Sequence, residues 1–317
     1  MTENERKSKI ISDKLKINNG VIVSSGTIAL MSALKLANIK SNDNVLINGY
    51  CCYSLFEAIA NIGAKTIFVV PNNFYNISYE EIDNILKKFN IKCFIATHQY
   101  GIVQDIKRIK ENYPNLIIIE DIAQAWNIKE NELGIGNYSD FVVTSFGISK
   151  PLSYGQAGAI FSNNDIIKYF DLHNKDCRNS KNLLLPYALY DCEKINTLKL
   201  VKEANIIVDK QREIANYLTE YFYKNKYVNI YKDKENQLSS WHRFPIIIKQ
   251  LDYIKEFESI MEKYNILYQW QNEKETYELD MINKEEYEII SNTTKPKYAL
   301  IRTRQNNLDN VKKLIRR

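Results

Sequence analysis

Seven short runs of β-branched and apolar residues punctuate the first half of this chain, at Val21–Val23, Val45–Ile47, Thr66–Val70, Cys93–Ala96, Leu116–Ile119, Phe141–Thr144 and Ala159–Phe161, most with helical patterns between them. A strand that must run parallel to its predecessor needs a long crossover, and a helix is the usual one. The alternation therefore predicts an α/β fold, a mostly parallel seven-stranded sheet with helices on both faces. In such sheets ligands collect beyond the carboxyl ends of the strands. The residues just past each run are the ones to inspect.

After Ser162 the pattern changes. A helical region is expected over roughly Asp165 to Lys224, broken near Pro186, followed by strand candidates at Phe244–Ile248, Ile266–Gln269 and Tyr298–Ile301. The organisation predicted is a large α/β domain over 1–165, a helical connection over 166–225 and a smaller α+β domain over 226–317. With 317 residues, 45% of them hydrophobic, the chain can bury a sizeable core. Its formal charge of +5 comes from lysines scattered among 38 acidic residues, so nucleic-acid binding gains no support. The start, Met1 to Lys16, is charged and amphipathic, and no apolar run approaches membrane-spanning length. A cytoplasmic protein is expected. The five cysteines, Cys51, Cys52, Cys93, Cys177 and Cys192, form an odd set without a CxxC pair, so neither a disulfide framework nor a metal site is predicted.

Three polar groups stand just past buried runs. Ser24-Ser25-Gly26-Thr27 opens a helix with apolar Ile28, Leu30, Met31 and Leu34, and free N–H groups at a helix start suit a phosphate, although the same letters make an ordinary cap. Glu120-Asp121 closes the fifth run. Lys150 follows Ser145 in Ser145-Phe146-Gly147-Ile148-Ser149-Lys150. A lysine that can hold an aldehyde cofactor, with an acid elsewhere to keep the cofactor's ring nitrogen protonated, points to pyridoxal phosphate.

Those residues, with Gly63-Ala64-Lys65, His98-Gln99-Tyr100-Gly101 and Ala123-Gln124-Ala125, make the stretch from Val21 to Ser162 resemble the DegT/DnrJ/StrS family of pyridoxal-phosphate sugar aminotransferases, of fold type I; weaker similarity continues through Ser240-Trp241-His242. The resemblance implies that Lys150 is the lysine carrying the cofactor and Asp121 the partner of its ring nitrogen. It implies that Gln124 lies near the phenolic oxygen. Thr27, the Ile28 backbone and Ser145 correspond to phosphate contacts, and Ser25 and Gly26 at the same helix start are counted with them as cofactor-binding. His98 matches a family motif and is read as a packed or capping histidine. An amino donor, glutamate foremost, a keto acceptor on a nucleotide-linked sugar, and a homodimer with its active site at the interface are implied in the same way.

The sequence also departs from the family pattern. In Tyr50-Cys51-Cys52-Tyr53, Cys52 stands where an aromatic usually covers the ring, and Tyr53 is the alternative. Gly155-Gln156-Ala157-Gly158 lacks a carboxylate found in relatives. Leu185-Pro186-Tyr187-Ala188-Leu189 lacks the Asn and Arg of a loop that reaches the neighbouring subunit, with Arg178, Asn179 and Asn182 as substitutes. Tyr253, Trp241, His242, Arg243 and Trp270 are candidates for a substrate pocket, or core and surface residues of the small domain. Two rival readings remain at this point: another pyridoxal-phosphate reaction, such as elimination, desulfurisation or amination of a non-sugar acceptor, and an idle scaffold of the same fold.

Overall fold

The computed structural model describes residues 1–71, 76–130, 133–170, 189–270, 287–290, 297–303 and 307–315. Its strands are β1 (Asn19–Val23), β2 (Asn44–Asn48), β3 (Lys65–Val69), β4 (Ile91–Thr97), β5 (Ile117–Asp121), β6 (Phe141–Ser145), β7 (Gly158–Ser162), β8 (Val228–Ile230), β9 (Arg243–Ile248), β10 (Tyr268–Trp270), β11 (Tyr287–Ile290) and β12 (Lys297–Arg302). The α-helices are α1 (Glu3–Leu15), α2 (Gly26–Leu36), α3 (Tyr53–Asn61), α4 (Tyr79–Lys88), α5 (Lys107–Asn112), α6 (Thr197–Phe222), α7 (Tyr253–Lys263) and α8 (Leu308–Ile315).

All seven expected runs lie in one sheet, of order β1-β7-β6-β5-β4-β2-β3-β11. Among the described residues that sheet has eight strands where seven were expected, because the C-terminal segment Tyr287–Ile290 adds itself in parallel to β3. Only β7 runs against its neighbours, β1 and β6; every other adjacent pair is parallel. Four of these strands, β1, β2, β3 and β5, are buried throughout except at their first residue. Such unbroken burial is what two covered faces require.

The faces alternate along each strand. Val21, Val23, Val45, Ile47, Cys93, Ile95, Ile119 and Val143 join α2 and α3 in one core. The opposite face splits: Ile22, Val142, Ala159 and Phe161 meet α1 and α6, while Leu46, Ile67, Phe94, Ala96 and Ile118 meet α4 and α5. Each Val, Leu, Ile or Phe among them contributes about 1.5–3 kcal/mol through burial. Helices α1 and α4 begin with capping boxes, Thr2 with Glu5 and Ser78 with Glu81. Each cap satisfies N–H groups that the helix itself leaves orphaned.

Among the described residues of the expected helical region there are a 3₁₀ turn at Ile167–Tyr169 and the long α6. Pro186, Arg178, Asn179, Asn182, Cys177 and positions 185–188 of the divergent loop lie outside the described residues. The three C-terminal strand candidates are found in an antiparallel sheet of order β8-β9-β12-β10, so this part is α+β as expected. Its core is aromatic: Phe257 touches Phe222, Tyr268 and Trp270. A small three-stranded patch, Gln237–Leu238 on Lys129–Glu130 and Leu133–Gly134, ties it to the large sheet's loops.

Candidate active site

Three neighbouring strands end at one place. Thr97 closes β4, Asp121 closes β5 and Ser145 closes β6, and all three border a cavity of about 240 Å³ at the carboxyl edge of the sheet. Ser25, Gly26 and Thr27 supply its wall from the start of α2, and Cys52, Gln124 and Lys150 also line it.

The α2 end is held there by close packing. Ser25 is extended, and its hydroxyl accepts from the Ile28 N–H at 3.1 Å. A Cβ on Gly26 would come within 2.9 Å of the Ser145 Cβ, and one on Gly158 within 2.7 Å of the Gly26 nitrogen. Only glycine lets β6, β7 and the helix start approach so closely. Ser145, whose Oγ accepts from the Gly147 N–H at 3.2 Å, is thereby set beside N–H groups that no turn of helix precedes. Ser25 thus caps the helix and lines the cavity at once. Ile28 contributes its backbone to that cap and does not line the cavity.

Asp121 is 9% exposed. One carboxylate oxygen accepts from the Ala123 N–H at 2.8 Å, and among the described residues the other has no protein donor. Burial pushes its pKa above the ordinary carboxylate value, with the Ala123 N–H and the Lys150 charge pulling less strongly the other way. A cation placed in the cavity would relieve that cost. Gln124 is oriented by the Tyr100 N–H, which donates to its Oε1 at 3.0 Å. Its amide N–H₂ is left as a donor for the cavity.

Lys150 stands on a tight loop. Its N–H bonds to the Gly147 carbonyl at 2.9 Å, while the Tyr154 and Gly155 N–H groups both bond to the Phe146 carbonyl, at 2.8 and 2.7 Å. No hydrogen-bond or ion-pair partner is found for its ammonium among the described residues. The amine and the acid that the sequence pairs thus face one cavity, 29 positions apart in the chain by the difference of their numbers.

His98 is committed elsewhere. Its Nδ1 accepts from the Gln104 N–H at 3.0 Å, which leaves Nε2–H to donate to Glu120 at 2.9 Å. Glu120 also accepts from the Gly136 N–H and the Ser139 hydroxyl, at 2.7 and 2.8 Å. The ring is the packed histidine that the sequence reading favoured. Cys52 is exposed and lines the cavity, whereas Tyr53 turns to Phe56, with ring centroids 5.9 Å apart.

Four of the five pocket candidates lie in the small sheet's packing. Trp241 stacks on Phe244, Tyr253 on Tyr227, Trp270 donates to Glu258, and Arg243 donates to the His242 carbonyl. His242 differs, for with Ser149, Ser153, Lys210, Gln211 and Thr303 it lines a second cavity, about 450 Å³, reached from the other side of Lys150. Sequence reasoning missed Thr97, Ser54 and Gln99, which also border the first cavity. Thr97 was discoverable, since it ends a buried run and precedes His98-Gln99-Tyr100-Gly101.

The profile of the DegT/DnrJ/EryC1/StrS aminotransferase family matches residues 3–288. The chain belongs to that family. GDP-perosamine synthase from Vibrio cholerae is 26% identical over 211 residues, 63% of this chain and 57% of that protein. UDP-N-acetyl-3-dehydro-alpha-D-glucosamine 3-aminotransferase from Acidithiobacillus ferrooxidans is 34% identical over 145 residues, 45% of this chain and 38% of that one. The matched segment thus spans little more than half, or less, of these relatives. Among solved structures, E. coli GDP-4-keto-6-deoxy-D-mannose-3-dehydratase with bound hydrated PLP superposes with a TM-score of 0.77 at 15% identity, covering 98% of this chain and 91% of that one. That likeness is one of fold.

Proposed function

We propose that this family member is a pyridoxal-phosphate aminotransferase that takes an amino group from an amino acid, glutamate foremost, and delivers it to a keto group on a nucleotide-linked sugar. One observation carries the reading: Lys150, the buried Asp121 and the open start of α2 converge on a single cavity. The family membership and the sugar-nucleotide activities named for relatives support the acceptor class.

The residues fit the cofactor. A phosphate suits the N–H groups of Gly26 and Thr27 with the hydroxyls of Thr27 and Ser145. The unpartnered oxygen of Asp121 suits a protonated ring nitrogen, and the Gln124 amide suits an anionic ring oxygen. When bound, pyridoxal phosphate supplies an electron sink for the charge released as a donor loses its α-proton. The chain's own part is to hold Asp121 charged and dry, to fix Gln124, and to carry that proton on the Lys150 amine, first as base and then as acid. The loop from Ser145 to Gly155 fixes where that amine can reach.

Lys150→Ala is expected to lower both half-reactions by on the order of 10⁴-fold, read by single-turnover absorbance with glutamate. Unchanged turnover would exclude the proposal. Cys52, an exposed thiol inside the cavity, favours a second reading in which an eliminating or desulfurising reaction runs on the same cofactor. A yellow protein bleached by glutamate selects transamination; one that stays yellow with every amino donor selects the second reading. A homodimer completes the proposal. Ile148, Ile206 and Ile207, exposed by 82%, 46% and 37%, border the second cavity beside Lys150, and an apolar surface at that place suits a subunit seam.

A further inference from the structure

Thr97 is the last residue of β4, and its Cα partner across the parallel ladder is Asp121. It is 6% exposed, and among the described residues its hydroxyl has no hydrogen-bond partner. The four residues before it, Cys93, Phe94, Ile95 and Ala96, are buried and take no part in polar chemistry. A buried hydroxyl with nothing to bond costs stability, and valine would fill the same space without that cost. The polar atom is therefore unspent in the protein alone.

What lies around it narrows its use. Four polar side chains on the cavity wall have atoms committed to the chain: an Asp121 oxygen to the Ala123 N–H, the Gln124 Oε1 to the Tyr100 N–H, the Ser145 Oγ to the Gly147 N–H, and both His98 nitrogens to Gln104 and Glu120. The Thr97 hydroxyl is committed to none and borders the same cavity. Strand order puts it beside Asp121 and two strands from Ser145, away from the α2 start.

We propose that Thr97 is a cofactor-contacting residue, its hydroxyl bonding a polar atom on the ring side of pyridoxal phosphate, the side that Asp121 serves. This rests on the function proposed above. One neutral hydrogen bond with a buried partner corresponds to a change of up to about tenfold in affinity.

The test is a titration of cofactor-stripped full-length protein with pyridoxal phosphate, followed by absorbance, for wild type, Thr97→Val, Thr97→Ala and Thr97→Ser. Val and Ala are expected to raise the Kd about tenfold, with Ser within about twofold of wild type. The stripped Val protein is also expected to melt above stripped wild type, since the orphaned hydroxyl is gone. Equal Kd values for wild type, Val and Ala overturn this proposal alone. A wild type that takes up no pyridoxal phosphate overturns the proposed function and this contact with it.

Discussion

Asp121 shows how a single side chain can be expensive alone and useful with company. Its carboxyl is buried against a pKa pushed upward, so the empty protein holds a proton there more tightly than the unfolded chain does. Stability from such a group is full below the ordinary carboxylate pKa and is lost as pH climbs through the raised folded value. Cofactor-free Asp121→Asn is therefore expected to melt higher than cofactor-free wild type at neutral pH, by roughly 2–4 °C per kcal/mol relieved, with the gap closing on acidification. Thermal melts across pH read this directly; a lower melting point at neutral pH would contradict it. The same variant should lose its bleaching by glutamate. Asp121 and Lys150 stood out because each comes after a recognisable buried run, whereas Gln124 and Ser145 were picked out by the family resemblance; the structure places all four on one cavity. The choice between Cys52 and Tyr53 was not, since adjacent residues at a helix start are told apart only by the helix's rotation about its axis.

At the level of elements, the tie between the two sheets is a carboxylate knot. Glu130, in the short patch, accepts from the Ile106 and Lys107 N–H groups at 3.2 and 3.3 Å and thereby caps α5. Burial, then a hydrogen bond with Asp105, pushes its pKa up to about 8. A raised acid pKa again means stability present at low pH and lost on rising through about 8. Glu130→Gln keeps an acceptor for α5, and it is expected to flatten the fall in stability between about pH 5 and pH 8, measured by denaturant unfolding. An unchanged pH profile would remove Glu130 from that role. Strands were read well from sequence because buried parallel strands are continuous apolar runs, while the two-residue pairings of this patch have no periodicity to detect. Of the region after Ser162, the antiparallel strands were legible by composition, and α6, Thr197–Phe222, falls within the helical stretch expected beyond Pro186.

For the whole molecule, the subunit seam proposed beside Lys150 makes a prediction independent of chemistry. Ile206 is on the outer face of α6, where a charge costs a monomer within about 0.5 kcal/mol. Ile206→Glu is expected to leave the melting point of a dilute monomer unchanged while halving the mass seen by light scattering. Wild type running at the mass of one chain would remove the dimer from the proposal. Among the described residues no helix is long and apolar enough to cross a membrane. The eighth strand was the one piece of the large sheet that the pattern hid, for it comes from the far end of the chain and joins β3 by parallel pairing. During synthesis, then, the ladder beside β3 stays open until Tyr287–Ile290 clears the ribosome. A nascent chain halted short of that point displays a bare row of backbone donors and acceptors, inviting attachment to other chains.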